Sequence, residues 1–424
     1  MKIELLYELF LKYPTISTDT RKIGRNCLFF ALKGPNFNGN TFAQQALDSG
    51  AAYAIIDEEE YLVNDTCILV EDVLKTLQLL GTHHRLQSNA TIVALTGSNG
   101  KTTTKELIHA VLSQKFKTIA TRGNLNNHIG VPLTLLSIQK DTEIAIVEMG
   151  ANHQKEIAFL CSVAQPDHGY ITNFGKAHLE GFGSFEGVIK GKSEMYDHLM
   201  THGKHIFWNA DDPIQQKKLR DYNLKTGFST DNTQYECISF LGADPTVKLK
   251  IKGETLVTQL PGAYNFANCA IAALMGIYFR VPISDIKKGI ETYQPENNRS
   301  QLIEKNGIRI MLDAYNANPS SMKVALEAFD QIPALFKTVL LGDMFELGDS
   351  AAEEHQRVSE MAEKMPFHDC FLVGAHFYDT DTSCKKFRSF ESFLEYLDQN
   401  PIKKGSLLIK GSRGMALERV MDLL

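Results

Sequence analysis

The chain lacks any pattern that would cross-link it or anchor it. Its seven cysteines, at 27, 67, 161, 237, 269, 370 and 384, are scattered and odd in number, with no Cys-x-x-Cys. A disulfide framework and a zinc site are both disfavoured, and a reducing compartment fits. No apolar run approaches the ~20 residues of a membrane span. The start, Met1-Lys-Ile-Glu-Leu-Leu-Tyr-Glu-Leu-Phe10, carries two acids and no signal-peptide pattern. No membrane insertion and a cytoplasmic location are therefore expected. A net charge of −6 provides no basic field, so nucleic acid is not an expected partner. Internal repeats and low-complexity tracts are missing as well.

What is there is an ordinary globular composition, 43% hydrophobic and 22% charged, on 424 residues. That length is too great for one core, so two or three domains are expected. Three zones separate along the chain. The first, about 1–85, holds short strand-like runs, Cys27-Leu-Phe-Phe-Ala-Leu32 and Ala52-Tyr-Ala-Ile-Ile56, broken by a polar turn at 33–40. The second, about 86–295, alternates strands such as Ile144-Ala-Ile-Val-Glu148 and Gly169-Tyr-Ile-Thr-Asn173 with helical stretches. That alternation predicts a mainly parallel sheet with helices on both faces. The third begins near Gln294-Pro-Glu-Asn-Asn298. Its candidate strands at 308–312, 338–341, 371–373 and 407–410 read as a separate α/β unit.

The most informative segment is Thr96-Gly-Ser-Asn-Gly-Lys-Thr-Thr-Thr104, directly after the apolar run Thr91-Ile-Val-Ala-Leu95. A strand running into a glycine-rich turn at a helix start exposes backbone N–H groups that cradle phosphate oxygens. Only two residues separate Gly97 from Gly100, so the loop is a shortened variant of the usual one. Lys101 is placed to neutralise β/γ-phosphates and the Thr102 hydroxyl to hold Mg²⁺. Ser98, Asn99 and Thr103 complete the expected phosphate cradle. The bland alternative is a strand–helix turn with a surface lysine. The spacing predicts a nucleoside triphosphate ligand.

Other candidates sit at strand ends, where ligands collect in open α/β sheets. Glu148 ends an apolar strand and is placed to share Mg²⁺ with Thr102; otherwise it caps the next turn. His178, in Asn173-Phe-Gly-Lys-Ala-His-Leu-Glu180, reads equally as a second metal ligand or an ordinary loop histidine. Lys190-Gly-Lys-Ser-Glu194 is expected to open a helix, where two lysines oppose the macrodipole and call for an anionic partner. Asn265 and Asn268 either cap the following helix or bond a purine edge. Asn318-Pro-Ser320 is a helix-start signal. Asp313 could accept from a ribose, and Leu341-Gly-Asp-Met-Phe-Glu-Leu-Gly348 reads as a turn. Lys410-Gly-Ser-Arg413 is a polar turn suited to holding a carboxylate. For these third-zone segments a structural turn is at least as good a reading as a site.

Together these motifs resemble the Mur ligase family over essentially the whole chain. The likeness rests on the phosphate loop, Glu148, Asn173 to His178, Asn265, Asn268, Arg299 and Asp313. The resemblance implies an α/β fold of three domains. These are an N-terminal UDP-substrate-binding domain at 1–85, a central P-loop ATPase domain at 86–295 and a C-terminal Rossmann-like domain at 296–424. It also implies ATP and Mg²⁺ as cofactors. Gly97, Gly100, Lys101 and Thr102 would bind the triphosphate and a first Mg²⁺ with Glu148. A second metal would fall to His178 and to Lys192, which matches the family's carbamylated lysine. Asn268 would contact adenine, Arg299 the phosphates and Asp313 the ribose. Ser17, Asp19 and Arg21 match a stretch associated with the UDP end, and Asn126 and Asn127 should lie along the muramoyl-peptide track. Asn38-Gly-Asn40 stands where Asp-Gly-His is expected.

Within the family, Gly123-Asn-Leu-Asn-Asn-His-Ile-Gly-Val-Pro132, Glu148-Met-Gly-Ala-Asn152, Asp313-Ala-Tyr-Asn-Ala-Asn-Pro319 and the 341–348 segment narrow the resemblance. They are similar to the member that joins D-alanyl-D-alanine to UDP-N-acetylmuramoyl-tripeptide through an acyl phosphate. The Asp-Asn-Pro-Arg string of the ligase for the third amino acid is missing. A monomer without a fused racemase is expected. The competing readings are a ligase for another amino acid or a folate, and a nucleotide switch without ligation. The third residue of the tripeptide, lysine or diaminopimelate, is not legible.

Overall fold

The apolar run at 91–96 forms a strand, Thr91–Thr96, in which every residue after the first is buried. Its side chains alternate between two cores. Ile92 and Ala94 pack with one cluster and Val93 and Leu95 with the other, on the opposite face. A strand buried on both faces is the signature of a parallel sheet covered by helices. This is a computed structural model that describes residues 2–296, 298–402 and 404–424. Asn297, in the 294–298 segment taken as the start of the third zone, lies outside them.

Among the described residues, the central sheet has nine strands. Seven run parallel: Thr118–Ala120, Ile144–Glu148, Thr91–Thr96, His168–Ile171, His205–Asn209, Lys225–Ser229 and Glu236–Gly242. Two further strands, Lys248–Ile251 and Glu254–Val257, extend it antiparallel. This extension was not anticipated, because short half-exposed strands carry little periodic signal. Thr91–Thr96 lies between Ile144–Glu148 and His168–Ile171, so the loops after all three emerge side by side.

The N-terminal sheet is four parallel strands, Ile16–Ser17, Leu28–Phe30, Tyr53–Ile56 and Cys67–Leu69. The expected turn at 33–40 contains a small hairpin, Lys33–Gly34 with Phe37–Asn38. Asn40 is fully buried there, donating to Asp57 at 2.8 Å and accepting from its N–H at 2.9 Å.

The third sheet orders Gln301–Lys305, Ile308–Asp313, Gly405–Lys410, Lys337–Gly342, Asp369–Val373 and Lys385–Phe387. Only the first of these strands runs antiparallel to its neighbour. Met344 and Leu347 from this unit join the same apolar cluster as Leu179 and Phe182 of the central one. The two units are therefore packed together, with the carboxyl ends of both sheets facing a shared cavity.

Candidate active site

The phosphate loop owes its shape to two glycines. Gly97 has φ +143° and Gly100 φ +77°, where side chains with a Cβ are strained. A Cβ on Gly97 would lie 1.9 Å from Thr172 Oγ1. Helix Lys101–Leu112 begins immediately after Gly100 with no side-chain cap, so its first N–H groups are left facing the cavity. Lys101 curls over the loop and donates to the carbonyls of Gly97 at 2.9 Å and Ser98 at 3.3 Å. Burial pushes its pKa down, with Arg299 acting in the same direction, against Glu148 and Glu346.

Glu148 sits at the end of the adjacent strand and is almost fully buried. Its Oε1 accepts from Asn126 at 2.8 Å and lies 3.4 Å from Thr102 Oγ1. Among the described residues its Oε2 has no hydrogen-bond partner. Lys105 Nζ stands 3.9 Å from it but donates to Thr121 O at 2.8 Å. A buried carboxylate oxygen left open beside a threonine hydroxyl is the donor set expected for Mg²⁺, which takes one or two protein ligands and completes its shell with water and phosphate. Among the described residues no three His, Cys, Asp or Glu side chains converge on a metal-sized site.

His178 follows the strand His168–Ile171 in a left-handed conformation, φ +53°. Its Nδ1 is 2.5 Å from the Glu346 carboxylate of the third unit. The contact lacks hydrogen-bond direction, and Nδ1 otherwise has no partner among the described residues. The salt contact holds Glu346 below the usual carboxylate range.

Lys192 departs from its expected local setting. Helix Phe185–Thr201 starts well before Lys190, because Ser184 caps it by accepting from Gly187 N–H at 3.0 Å. The macrodipole argument for Lys190 and Lys192 is thus overturned: both lie inside the helix. Lys192 is fully buried, donates to Ala151 O at 3.0 Å and lies 5.1 Å from the Phe182 ring centre. It stands behind Ala151, which lines the cavity, rather than on the wall itself. Burial drives its pKa well below the ordinary lysine value, and Lys101 pushes the same way.

Neither asparagine near 265 caps its helix by a side-chain bond. Asn268 instead accepts from Thr104 Oγ1 at 2.9 Å and donates to Asn265 at 2.9 Å, which donates to Pro261 O at 2.7 Å. Both asparagines line the cavity. Arg299 stacks 3.6 Å over the Tyr315 ring, with its Nε unpartnered among the described residues. Asp313, at its strand end, is bonded by Lys410 Nζ at 2.6 Å and by Ser300 N–H at 3.2 Å. The carboxylate that the Lys410 turn holds is therefore the chain's own.

These groups enclose one cavity of about 480 Å³, bounded by the phosphate loop on one side and Arg299, Asp313 and Lys410 on the other. Asn126 and Asn127 lie on its wall. Asn127 also accepts from Gly130 N–H at 2.9 Å, where helix Gly130–Leu136 begins. Ser17 ends the first strand of the N-terminal sheet, Asp19 and Arg21 lie at the 3-10 turn that follows it, and none of the three lines the cavity. There Asp19 and Arg21 pair through two contacts of 2.9 Å, and the Arg21 hydrogen bonds bring the Asp19 pKa down to about 2.

Sequence reasoning missed Lys105, Tyr315 and Glu346 as parts of the wall or its immediate support. Lys105 had a usable signal, since it follows Lys101 by four positions and so shares its helix face. The other two depend on the third unit's docking.

Comparison with known proteins bears on the family and the fold. Residues 12–89 match the model of the Mur ligase family catalytic domain, 95–276 the Mur ligase middle domain and 298–399 the Mur ligase glutamate ligase domain. The UDP-N-acetylmuramoyl-tripeptide--D-alanyl-D-alanine ligase of Bacillus subtilis is 34% identical over 423 residues, covering 96% of this chain and 92% of its own length. A crystal structure of MurF from Acinetobacter baumannii superposes with a TM-score of 0.85 at 30% identity, covering 97% of this chain and 93% of its own. MurF ligase from Thermotoga maritima in complex with ADP gives a TM-score of 0.85 at 25% identity, covering 97% of each chain. With the three domain models in order, these matches show that the chain belongs to the Mur ligase family.

Proposed function

We propose that the chain is an ATP-dependent ligase that joins D-alanyl-D-alanine to the terminal carboxylate of UDP-N-acetylmuramoyl-tripeptide, in the synthesis of peptidoglycan precursors. The observation that carries this reading is the shared cavity between the phosphate loop with Glu148 and the Asp313–Lys410 pair. A carboxylate is a poor acyl donor, so ATP first converts it to an acyl phosphate. The loop N–H groups and Lys101 orient the triphosphate and offset its charge. The amine of the dipeptide then attacks, phosphate leaves, and the same cations stabilise the tetrahedral charge. Packing of the third unit against the central one keeps water from the acyl phosphate.

Thr102 and Glu148 would hold one Mg²⁺, and His178 with a carbamylated Lys192 a second. Bound Mg²⁺ supplies charge neutralisation during phosphoryl transfer. Burial lowers the Lys192 pKa, which eases access to the neutral amine, the form that adds carbon dioxide with loss of a proton. Asn268 and Asp313 are assigned to the adenosine and Arg299 to the phosphates. Ser17, Asp19 and Arg21 are assigned to the UDP end, with Asn126 and Asn127 along the peptide. The divisions 1–85, 86–295 and 296–424 belong to this reading. So do a monomeric state and a cytoplasmic location; among the described residues, no helix is long and apolar enough to cross a membrane.

The test is ADP release with each acceptor present or withheld. Release should need both the tripeptide substrate and the amine. D-alanyl-D-alanine should exceed D-alanine, L-lysine or diaminopimelate by at least ~10²-fold in kcat/KM, because a site built for the distant carboxylate leaves polar groups unpaired with a shorter amine. Amine-independent hydrolysis would make the protein a nucleotide switch instead. Paired assays with the lysine and diaminopimelate forms identify the third residue of the tripeptide.

A further inference from the structure

The phosphate loop touches the third unit directly. Asn318 Nδ2 donates to Asn99 Oδ1 at 2.7 Å, across 219 positions of sequence. The same Asn318 is the N-cap of helix Pro319–Asp330, accepting from Ser321 N–H at 2.9 Å. Asn318 is thus fixed by its own helix, and its amide is aimed at the middle of the loop.

Asn99 is held from the other side as well. Its N–H donates to Asn173 Oδ1 at 3.1 Å, and its carbonyl accepts from Thr172 Oγ1 at 2.7 Å and from Asn173 Nδ2 at 3.1 Å. The stretch after Asn173 continues into the third unit. Lys176 N–H donates to Ser320 Oγ at 2.9 Å, and Lys176 Nζ meets the buried Glu354 carboxylate at 2.6 Å. Ser320 is two residues from Asn318, so one helix start bonds both the phosphate loop and the loop beside it.

We propose that Asn318 is a positioning residue: its bond to Asn99 makes the nucleotide-binding form of the phosphate loop depend on docking of the third unit. The inference builds on the ATP-dependent reading above. Docking and nucleotide binding then favour one another, as linkage requires. With the third unit undocked, Asn99 keeps its backbone partners and loses its side-chain anchor, and the loop samples shapes that bind phosphate less well. Asn318 also lines the cavity, so a pairwise test with Asn99 is what separates action through the loop from a direct contact with the nucleotide.

The experiment uses the full chain and Asn318→Ser. Serine remains a good N-cap but is too short to reach Asn99. Affinity for a non-hydrolysable ATP analogue is measured by calorimetry, which does not depend on ligation, alongside the melting temperature. Loss of one neutral hydrogen bond should weaken binding about fivefold, with an unchanged melting temperature. Asn99→Ala should weaken binding by a similar factor, and the double variant by no more than the larger single effect. Unchanged affinity in Asn318→Ser, or additive losses, would overturn the proposal, as would a loss that merely follows a fall in melting temperature. Failure of wild-type ligation would instead count against the proposed reaction and leave the calorimetric result standing.

Discussion

Gly97→Ala tests whether the phosphate loop has the shape described. At φ +143° the backbone is in a region that residues with a Cβ rarely adopt, which costs about 1–3 kcal/mol. The new Cβ would also sit 1.9 Å from Thr172 Oγ1 and 3.0 Å from Thr172 N. Thr172 Oγ1 is committed to Asn99 O at 2.7 Å, so moving it gives up a bond worth about 1 kcal/mol net. The loop therefore relaxes away at a cost near 2–4 kcal/mol, a roughly 30- to 700-fold loss of nucleotide affinity. Calorimetry with an ATP analogue measures it. Adding Thr172→Ala should restore only part of the affinity, since the clash with the Thr172 backbone and the φ strain remain. Wild-type affinity in Gly97→Ala would refute both the loop geometry and its role.

Glu148→Ala and His178→Ala should each shift the Mg²⁺ dependence of ADP release to higher concentration; unchanged curves would remove both from the metal assignment. Lys192→Ala should be inactive and partly restored by short carboxylates, whereas full activity without additive would show that no carboxylate-like group is needed there. Asp167→Asn should change the acid limb of stability. Burial opposes the Asp167 charge, but bonds from Ile92 N–H and Lys204, with Arg85, outweigh it and lower its pKa. Its contribution is therefore complete above ~3.9, the ordinary aspartate value, and is lost as pH falls through the lower folded value. Melting followed from pH 6 to pH 2 should show a shallower acid decline in the variant, and parallel curves would contradict the assignment.

Local signals carried what a few consecutive residues can encode. The run Thr91 to Thr104 spells strand, turn and helix through its own hydrogen bonds and glycine angles, and it folds that way. Asn318-Pro319 starts its helix as read, and the alternation of apolar runs predicted parallel sheets. The 190–194 segment failed for a local reason: Ser184 is an earlier and stronger helix start than anything nearer the lysines. Pairings across the fold lay beyond sequence reading. Asp313 meets Lys410 across 97 positions because their strands are adjacent and in register. Lys192 became a buried amine because its helix packs that face inward, and Asn268 turned to Thr104 because two helices touch. A side chain's partner is set by strand order and helix packing, which arise from the summed burial of many apolar residues. The sequence alone therefore determined which groups were available for phosphate and metal, and the tertiary structure decided which of them face one another and which are consumed by the fold.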